Sequence, residues 1–298
     1  MFLRVLIQFL LGNLLIIGCR SKQSQTALNS SFHTIDYVTV GQRMSQVQTP
    51  YIIDVSGQSK RLVFVGCDHI RDSTNVQFKT LQYQFTQLKP QITFNEGGAV
   101  NESRHFSSLN KAAYEAGETG CMKYLSDQSG IRLLNGDTPE KEEFTLALHH
   151  YPKQELYLYY VMERIVIPFL SIENHPVLFE RYFQEGVDSF VRHGFPLAPT
   201  EQSLAYFKLL YHQYMKRPFA LTLTEEVEQF DYLNGGNCHF CAIGRRSKMI
   251  RDSILLTKLD QALNQYDRVM VTFGCGHALA IEPALIQLIN KKRENSGQ

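Results

Sequence analysis

The chain has 298 residues and a mass of 34.2 kDa, a size that suits one large domain or two small ones. Its 44% hydrophobic and 20% charged residues are ordinary globular usage and exclude wholesale disorder, collagen and a disulfide-dense miniature scaffold. With 30 Lys and Arg against 29 Asp and Glu, the formal net charge is +1. A nucleic-acid-binding protein needs an excess of cations, so we expect no nucleic-acid partner. An apolar run of membrane-spanning length occurs nowhere beyond the extreme N-terminus, which excludes a protein with several membrane spans.

The N-terminus has the pattern of an export signal. Arg4 supplies one positive charge, a mainly apolar run extends from Val5 to Ile17, and a glycine and Cys19 lead directly into a polar stretch. This order is typical of a secretory signal, and a cysteine after a small residue resembles a bacterial lipobox. We therefore expect residues 1–18 to be a lipoprotein signal peptide, with Cys19 lipidated and the protein exported to the bacterial cell envelope and anchored to its membrane. The alternative is an uncleaved anchor or a buried core helix.

The mature chain is predicted to be a tether followed by one domain. Residues 19–34, rich in Ser, Gln, Asn and Thr, form the tether, and residues 35–298 form the domain. Short β-rich runs alternate with helix-periodic stretches, which indicates an α/β fold with a mainly parallel central sheet covered by helices. The predicted strands are Arg61–Gly66, Gln91–Glu96, Ile131–Leu134 and Arg268–Gly274, and the predicted helices cover about 73–88, 249–265 and 281–290.

Residues 138–235 interrupt this alternation. Thr138, Pro139 and Glu140 give a helix-start signal after Asp137, and the following residues are helix-periodic and rich in aromatic side chains. The segment is predicted to be a helical insertion over the carboxyl ends of the strands, where it would form a lid or a pocket wall. Its aromatic residues are expected to fill a core rather than to form a dedicated ligand box.

Polar residues follow the predicted strands. In open α/β sheets the working groups lie just beyond the carboxyl ends of the strands, and here those positions hold His69, Glu96, Asp137 and His277. Two segments share one plan, in which an apolar strand ends in glycine and a histidine follows three residues later. The glycine is expected to let the chain turn sharply. A third match, at Gly236, follows no strand, so the evidence lies in the context of the other two and not in the bare motif.

These motifs resemble those of the superfamily that contains the TraB/PrgY proteins, the TIKI proteases and the erythromycin esterases, with ChaN-like lipoproteins among its relatives. The matching stretches are Gly66-Cys67-Asp68-His69, Glu96-Gly97-Gly98, Arg251-Asp252 and Gly274-Cys275-Gly276-His277. The resemblance covers roughly residues 60–100 and 245–290, and Cys67 and Cys275 depart from it, since relatives usually have other small residues there. It implies a hydrolase in which His69, Glu96, Arg251 and His277 are the catalytic residues.

The chemistry of these groups leaves two mechanisms open. An imidazole oriented by a carboxylate can take a proton from water at neutral pH. Alternatively, His69, Glu96 and His277 could hold a divalent metal such as Mn or Zn that activates water. In either mechanism Arg251 would neutralise an oxyanion or clamp a substrate carboxylate, and Asp137 is a candidate substrate-binding residue. A surface ion pair is the structural alternative for Arg251.

The expected substrate is a peptide or a small ester, cleaved at an amide or ester bond. The rival hypothesis is a binding lipoprotein that captures a peptide or haem in the same pocket without catalysis, for which the ChaN-like relatives are the precedent.

The cysteines allow several readings. Five remain after Cys19, an odd number, so at least one stays unpaired within the chain. Cys238 and Cys241 form a single Cys-x-x-Cys, which in an exported protein favours a local disulfide or a site-lining loop over zinc. Cys67 and Cys275 could pair, bind a metal or pack as small apolar groups, and packing is the default.

Overall fold

A computed structural model describes residues 32–97, 103–171, 177–222, 225–235 and 238–295. The predicted signal peptide, the lipidated Cys19 and most of the predicted tether therefore lie outside the described residues. No helix within the described ranges is long and apolar enough to cross a membrane.

The predicted α/β class is confirmed, since a five-stranded sheet lies at the centre of the domain. Its strands are β1 (Tyr51–Ser56), β2 (Arg61–Cys67), β3 (Ile92–Asn95), β4 (Leu133–Asn135) and β5 (Arg268–Gly274). The spatial order is β1-β2-β5-β3-β4, with β1 antiparallel to β2 and every other pair parallel. The carboxyl ends of β2, β5, β3 and β4 consequently lie along one edge of the sheet. The antiparallel strand β1 was not predicted.

Ten α-helices occur among the described residues: α1 (Tyr37–Met44), α2 (Val76–Leu88), α3 (Leu109–Gln128), α4 (Glu140–Leu148), α5 (Lys153–Val161), α6 (Ile167–Leu170), α7 (Phe179–Arg192), α8 (Leu204–Met215), α9 (His239–Gln265) and α10 (Cys275–Asn295). A π-helical turn, Met162–Val166, joins α5 to α6, and 3₁₀ turns lie at Pro199–Glu201 and Glu225–Phe230. The sequence places α9 and α10 correctly but makes both too short, at 249–265 and 281–290.

Successive residues of a strand point to opposite faces of the sheet, and both faces are covered and buried. On β2, Leu62 and Phe64 belong to the core shared with α1, α9 and α10. Val63 and Val65 belong to the core shared with α2 and α3. All four side chains are fully buried, which explains why the strand is continuously apolar in sequence.

The insertion has a core of its own. Aromatic rings from α4, α5, α7 and α8 pack edge to face within it; for example, Phe144 contacts Tyr160, Phe190 and Phe195 at centroid separations of 5.1, 5.8 and 5.1 Å. Helix α9 belongs to both cores, because Ile250 and Ile254 pack in the insertion core whereas its later leucines pack on the sheet. The middle of α9 therefore lies where the two cores meet.

Candidate functional site

The predicted polar residues converge on the edge formed by the carboxyl ends of the strands. His69 follows β2 by two residues, Glu96 follows β3 directly, and His277 lies in the first turn of α10, directly after β5. Because β5 lies between β2 and β3, these three positions are neighbours in space although they are far apart in sequence. The structure brings His69, Glu96, Arg251, His277 and Asp137 into one cleft.

Glu96 lies at the centre of the cleft. Its Oε2 accepts a hydrogen bond of 2.6 Å from the backbone N–H of Gly274, and its Oε1 accepts one of 2.6 Å from Nη2 of Arg251. The Nε2 atoms of His69 and His277 each lie 3.6 Å from a Glu96 oxygen, His69 beside Oε2 and His277 beside Oε1. Burial alone would raise the pKa of the Glu96 carboxyl, but the Arg251 charge and the two imidazoles outweigh it and hold the pKa far below its usual range. Glu96 is therefore an anion.

The glycines that end β2 and β5 serve close approach rather than a left-handed turn. Neither is among the residues with positive φ. A Cβ on Gly274 would lie 3.0 Å from Nε2 of His69 and 3.3 Å from Oε2 of Glu96. A Cβ on Gly66 would lie 2.8 Å from that of Ala278 on α10. The chain does leave β5 at Gly274, since α10 begins at Cys275, but the glycines are needed there as room for an imidazole and a helix beside the strand ends.

His277 is held by two partners deep in the protein. Its Nδ1 lies 2.6 Å from Oδ1 of Asp252 and 3.0 Å from the Tyr37 hydroxyl, which donates to Oδ2 of Asp252 at 2.8 Å. A carboxylate at Nδ1 assigns the ring proton to that nitrogen and leaves a lone pair on Nε2. Only 5% of the His277 side chain is exposed, and its Nε2 is buried without a hydrogen-bond partner among the described residues.

His69 has a similar bond in a different environment. Its Nδ1 lies 2.7 Å from Oε1 of Glu118, yet 59% of its side chain is exposed. The hydrogen bond with Glu118 raises the pKa of His69 above its ordinary value, with a smaller contribution from the charge of Glu96. A kink in α3 brings Glu118 to this place, since Gly117, at φ +57°, lies against the backbone carbonyl of Ile70. A left-handed φ is rarely adopted by residues other than glycine.

Arg251 is held between two carboxylates. Its Nε and Nη2 donate to Asp137 at 2.6 and 2.7 Å, and Nη2 also donates to Glu96. Burial would lower the pKa of the guanidinium, but Glu96 and Asp137 more than compensate, so Arg251 keeps its charge. Asp137, the predicted substrate-binding residue, also accepts from the Gly97 N–H at 3.3 Å. Both residues thus fix the position of Glu96.

The insertion supplies one wall of the cleft. Glu163, on the π-helical turn, accepts a bond of 3.1 Å from Lys248 of α9. The Lys248 ammonium lies 4.9 Å from the ring centroid of Tyr232. The Lys248 charge lowers the pKa of both Glu96 and His69, and the Tyr232 ring packs against Tyr37, so Lys248 and Tyr232 lie close to the predicted site residues.

The donors were also tested as a metal site. Two imidazole Nε2 atoms and one carboxylate are suitable donors, and a carboxylate behind each Nδ1 is the usual support for a metal-bound histidine. However, each Glu96 oxygen already accepts a short bond, and the Arg251 cation in contact with it would oppose a divalent ion. Within the described residues no group of three or more His, Cys, Asp or Glu is arranged to hold a metal. The arrangement therefore does not fit a resident metal.

The cysteines take no part in the cleft chemistry. Cys238 and Cys241 form a disulfide at the start of α9, one of the two predicted alternatives. Cys67 and Cys275 are free and buried, and they pack in the cores on opposite faces of the sheet. Burial raises the pKa of both thiols, that of Cys275 to about 11, so neither is a ready nucleophile.

Sequence reasoning missed Tyr37, Glu118, Lys248 and Tyr232, and it placed Asp252 beside Arg251 without giving it a role. Asp252 follows Arg251 directly, and a residue spacing of 25 from His277 gives no hint of contact. Glu118 could have been suspected only from the glycine that precedes it. Tyr37 precedes the first predicted strand, and the residues around it carry no motif.

Comparisons of the chain with models of known families, with curated proteins and with solved structures found no match. The family resemblance therefore stays a prediction, and the argument for function depends on the geometry of the cleft.

Proposed function

We propose that the protein is a hydrolase of ester or peptide bonds, with its site at the carboxyl ends of β2, β3 and β5. The observation that carries the proposal is the arrangement around Glu96. Two imidazoles direct Nε2 toward opposite oxygens of one buried carboxylate, and each imidazole is held at Nδ1 by a carboxylate of its own. Such mutual orientation of base, partner and orienting acid is what general acid–base catalysis requires.

His277 is the general base of this proposal. Its Nδ1–H is directed to Asp252, so the free lone pair is on Nε2, the atom that faces Glu96. A water that hydrogen-bonds Nε2 beside the Glu96 carboxylate would lose its proton to His277 as its oxygen attacks the substrate carbonyl. Glu96 would stabilise the imidazolium that forms, and Asp252 would do so from the other side of the ring.

His69 is the general acid. Because Glu118 raises its pKa, a larger fraction of the ring is charged at neutral pH than for an ordinary histidine. Its exposure suits a group that meets the leaving group and then exchanges protons with solvent. Donation from Nε2 to the departing alkoxide or amine would complete the cleavage.

Arg251 and Asp137 are positioning residues in this scheme. The guanidinium keeps Glu96 ionised and fixes its oxygens, and Asp137 fixes the guanidinium. This assignment differs from the oxyanion role expected from the sequence, because the Nε and Nη2 donors of Arg251 are already directed at carboxylates.

The test is hydrolysis of a panel of p-nitrophenyl esters and quenched fluorescent peptides by the purified mature chain. We expect turnover by the native chain and by a His212→Ala control, whose histidine lies exposed on α8. A His69→Ala, His277→Ala double variant should lose at least about 10³-fold in kcat/KM, since acid–base groups contribute about 10² to 10⁴. Equal rates in native and double-variant protein would contradict the proposal, as would binding of panel members without turnover.

Metal dependence is tested on the same protein. We expect kcat/KM to be unchanged by a chelator and by added Mn²⁺ or Zn²⁺, and the metal content of protein purified without chelator to be substoichiometric. Stoichiometric metal that disappears in the double variant, together with loss of activity on chelation, would overturn the metal-free mechanism and favour the metal-dependent alternative that the sequence left open.

A further inference from the structure

The proposed hydrolysis puts a negative charge on the substrate carbonyl oxygen, and something must stabilise it. Preorganised hydrogen-bond donors usually perform this task. Arg251 is poorly suited to it, because Nε and Nη2 already donate to Asp137 and Glu96. Lys248 donates to Glu163. Each cation is thus held by a carboxylate, and a neutral donor close to His277 would suit the task better.

Tyr232 lies at the right place. A Cβ built on Gly276, the residue before His277, would lie 3.1 Å from the Tyr232 hydroxyl oxygen. Its ring packs edge to face on Tyr37 at a centroid separation of 5.3 Å, and Tyr37 in turn contacts His277. The hydroxyl is therefore held directly over the first turn of α10, next to the proposed base.

The hydroxyl is also available as a donor. In the part of the chain that the structure describes, the Tyr232 hydroxyl makes no hydrogen bond, unlike that of its neighbour Tyr37. Burial and the charge of Glu96 raise the pKa of Tyr232, so the phenol keeps its proton throughout the neutral range.

Helix α10 adds donors at the same point. It begins at Cys275, and the first N–H groups of a helix have no partner within the helix and carry its positive dipole end. An independent observation marks the same place as a ligand position, since the Nε2 of His277 is buried and has no partner among the described residues. Gly276 lets the Tyr232 hydroxyl approach the backbone of α10, because a side chain there would lie close to that oxygen.

We propose that the Tyr232 hydroxyl and the first N–H groups of α10 form the oxyanion hole of this site, which makes Tyr232 a further catalytic residue. The inference rests on the proposed function. In the step concerned, the water oxygen bonds to the carbonyl carbon, the carbonyl π pair moves to its oxygen, and the proton of the water goes to Nε2 of His277. The oxyanion accepts the Tyr232 hydrogen bond without proton transfer. The pair then returns as the leaving group departs with a proton from His69.

The variant Tyr232→Phe tests this role, because it removes one oxygen and keeps the ring against Tyr37 and Lys248. We expect kcat on a p-nitrophenyl ester to fall about 10²-fold, the loss that follows removal of one oxyanion donor. The KM should stay within about twofold, since the bond strengthens in the transition state. Tyr206→Phe is the matched control, because that hydroxyl bonds to Glu201 in the insertion. It should keep native kcat.

A thiono ester, with sulfur in place of the carbonyl oxygen, separates a catalytic from a structural role. Sulfur is a weak hydrogen-bond acceptor, so the gap between native and Tyr232→Phe protein should shrink to less than about threefold on the thiono substrate. Should the gap stay equal on both substrates, or should Tyr232→Phe keep native kcat while His277→Ala does not, the oxyanion assignment is overturned and the hydrolase proposal stands. A native chain without any turnover overturns both.

Discussion

The two histidines of the cleft are held by the same kind of bond but in opposite surroundings. On the His277 side, the ring is 5% exposed and two side chains, Asp252 and Tyr37, fix its Nδ1. On the His69 side, the ring is 59% exposed, and Glu118 is the one partner of its Nδ1 among the described residues. A buried, fully oriented imidazole suits a base that must present one lone pair, whereas an exposed imidazole with a raised pKa suits an acid that is recharged from solvent. In the proposed mechanism, this difference in surroundings makes His277 the base and His69 the acid.

Replacing each histidine separately is the most direct test of the proposed difference between His277 and His69. We expect His277→Ala to lower kcat/KM on an ester substrate by about 10³- to 10⁴-fold, because no other described base faces Glu96 from within the protein. His69→Ala should cost at most about 10²-fold, since p-nitrophenolate is a good leaving group that departs with little help from an acid. Steady-state kinetics on one p-nitrophenyl ester measures both losses.

Leaving-group dependence provides the control for this assignment. The cost of His69→Ala should grow as the leaving group becomes more basic, whereas the cost of His277→Ala should be constant. A larger loss for His69→Ala than for His277→Ala on the p-nitrophenyl ester would reverse the two roles.

The variant Asp252→Asn tests the carboxylate that holds the buried imidazole of His277. An amide at this position can donate to Nδ1 of His277 and so favour the wrong tautomer, with the proton on Nε2. We expect kcat to fall about 10²-fold with little change in KM. Asp188→Asn, at an acidic residue of α7 that hydrogen-bonds Gln184, is the control and should keep native kcat. A native kcat in Asp252→Asn would show that the carboxylate does not select the tautomer.

Local patterns in the sequence predict the sheet well. Nearly continuous apolar runs identify β2 and β5, because a strand buried on both faces needs few polar residues. The short β-rich run that ends before Gly97 identifies β3. The same argument finds His69, Glu96 and His277 at the strand ends. It cannot find β1, whose residues Asp54 and Ser56 face solvent and interrupt the apolar pattern at the sheet edge.

The supporting residues lie beyond such reasoning for a physical reason. Glu118, Tyr37 and Tyr232 contact the site from a kinked helix, a short N-terminal helix and a turn, and contacts of this kind depend on how elements pack rather than on local periodicity. The roles of Arg251 and Asp137 also changed once their mutual bonds were visible. Residue type predicted an oxyanion-binding or substrate-clamping Arg251 and a substrate-binding Asp137, whereas their hydrogen bonds show that the two side chains pair with each other.

The smallest expected effect concerns the exposed His69, and it is a shift in the pH dependence of kcat/KM. Glu118 is the main cause of the raised pKa of His69, so the imidazolium persists above its ordinary titration range of about pH 6.5. An acid must be protonated, so activity should fall as pH rises through this raised pKa. Glu118→Gln removes the main cause of the raised pKa and should move the alkaline limb of kcat/KM to lower pH, while the rate at the pH optimum changes less than about fivefold.

The same variant affects stability with a defined sign. Because the folded-state pKa of His69 is raised, its contribution to the free energy of unfolding is fully present below about pH 6.5 and is lost as pH rises through the folded-state value. Glu118→Gln should therefore lower the Tm more at pH 5.5 than at pH 8.5. Glu115→Gln, on the same helix but paired with Arg104 at the surface, should change neither profile. An unshifted alkaline limb in Glu118→Gln would mean that His69 is not the group whose protonation limits the reaction, and the division of labour between the two imidazoles would have to be abandoned.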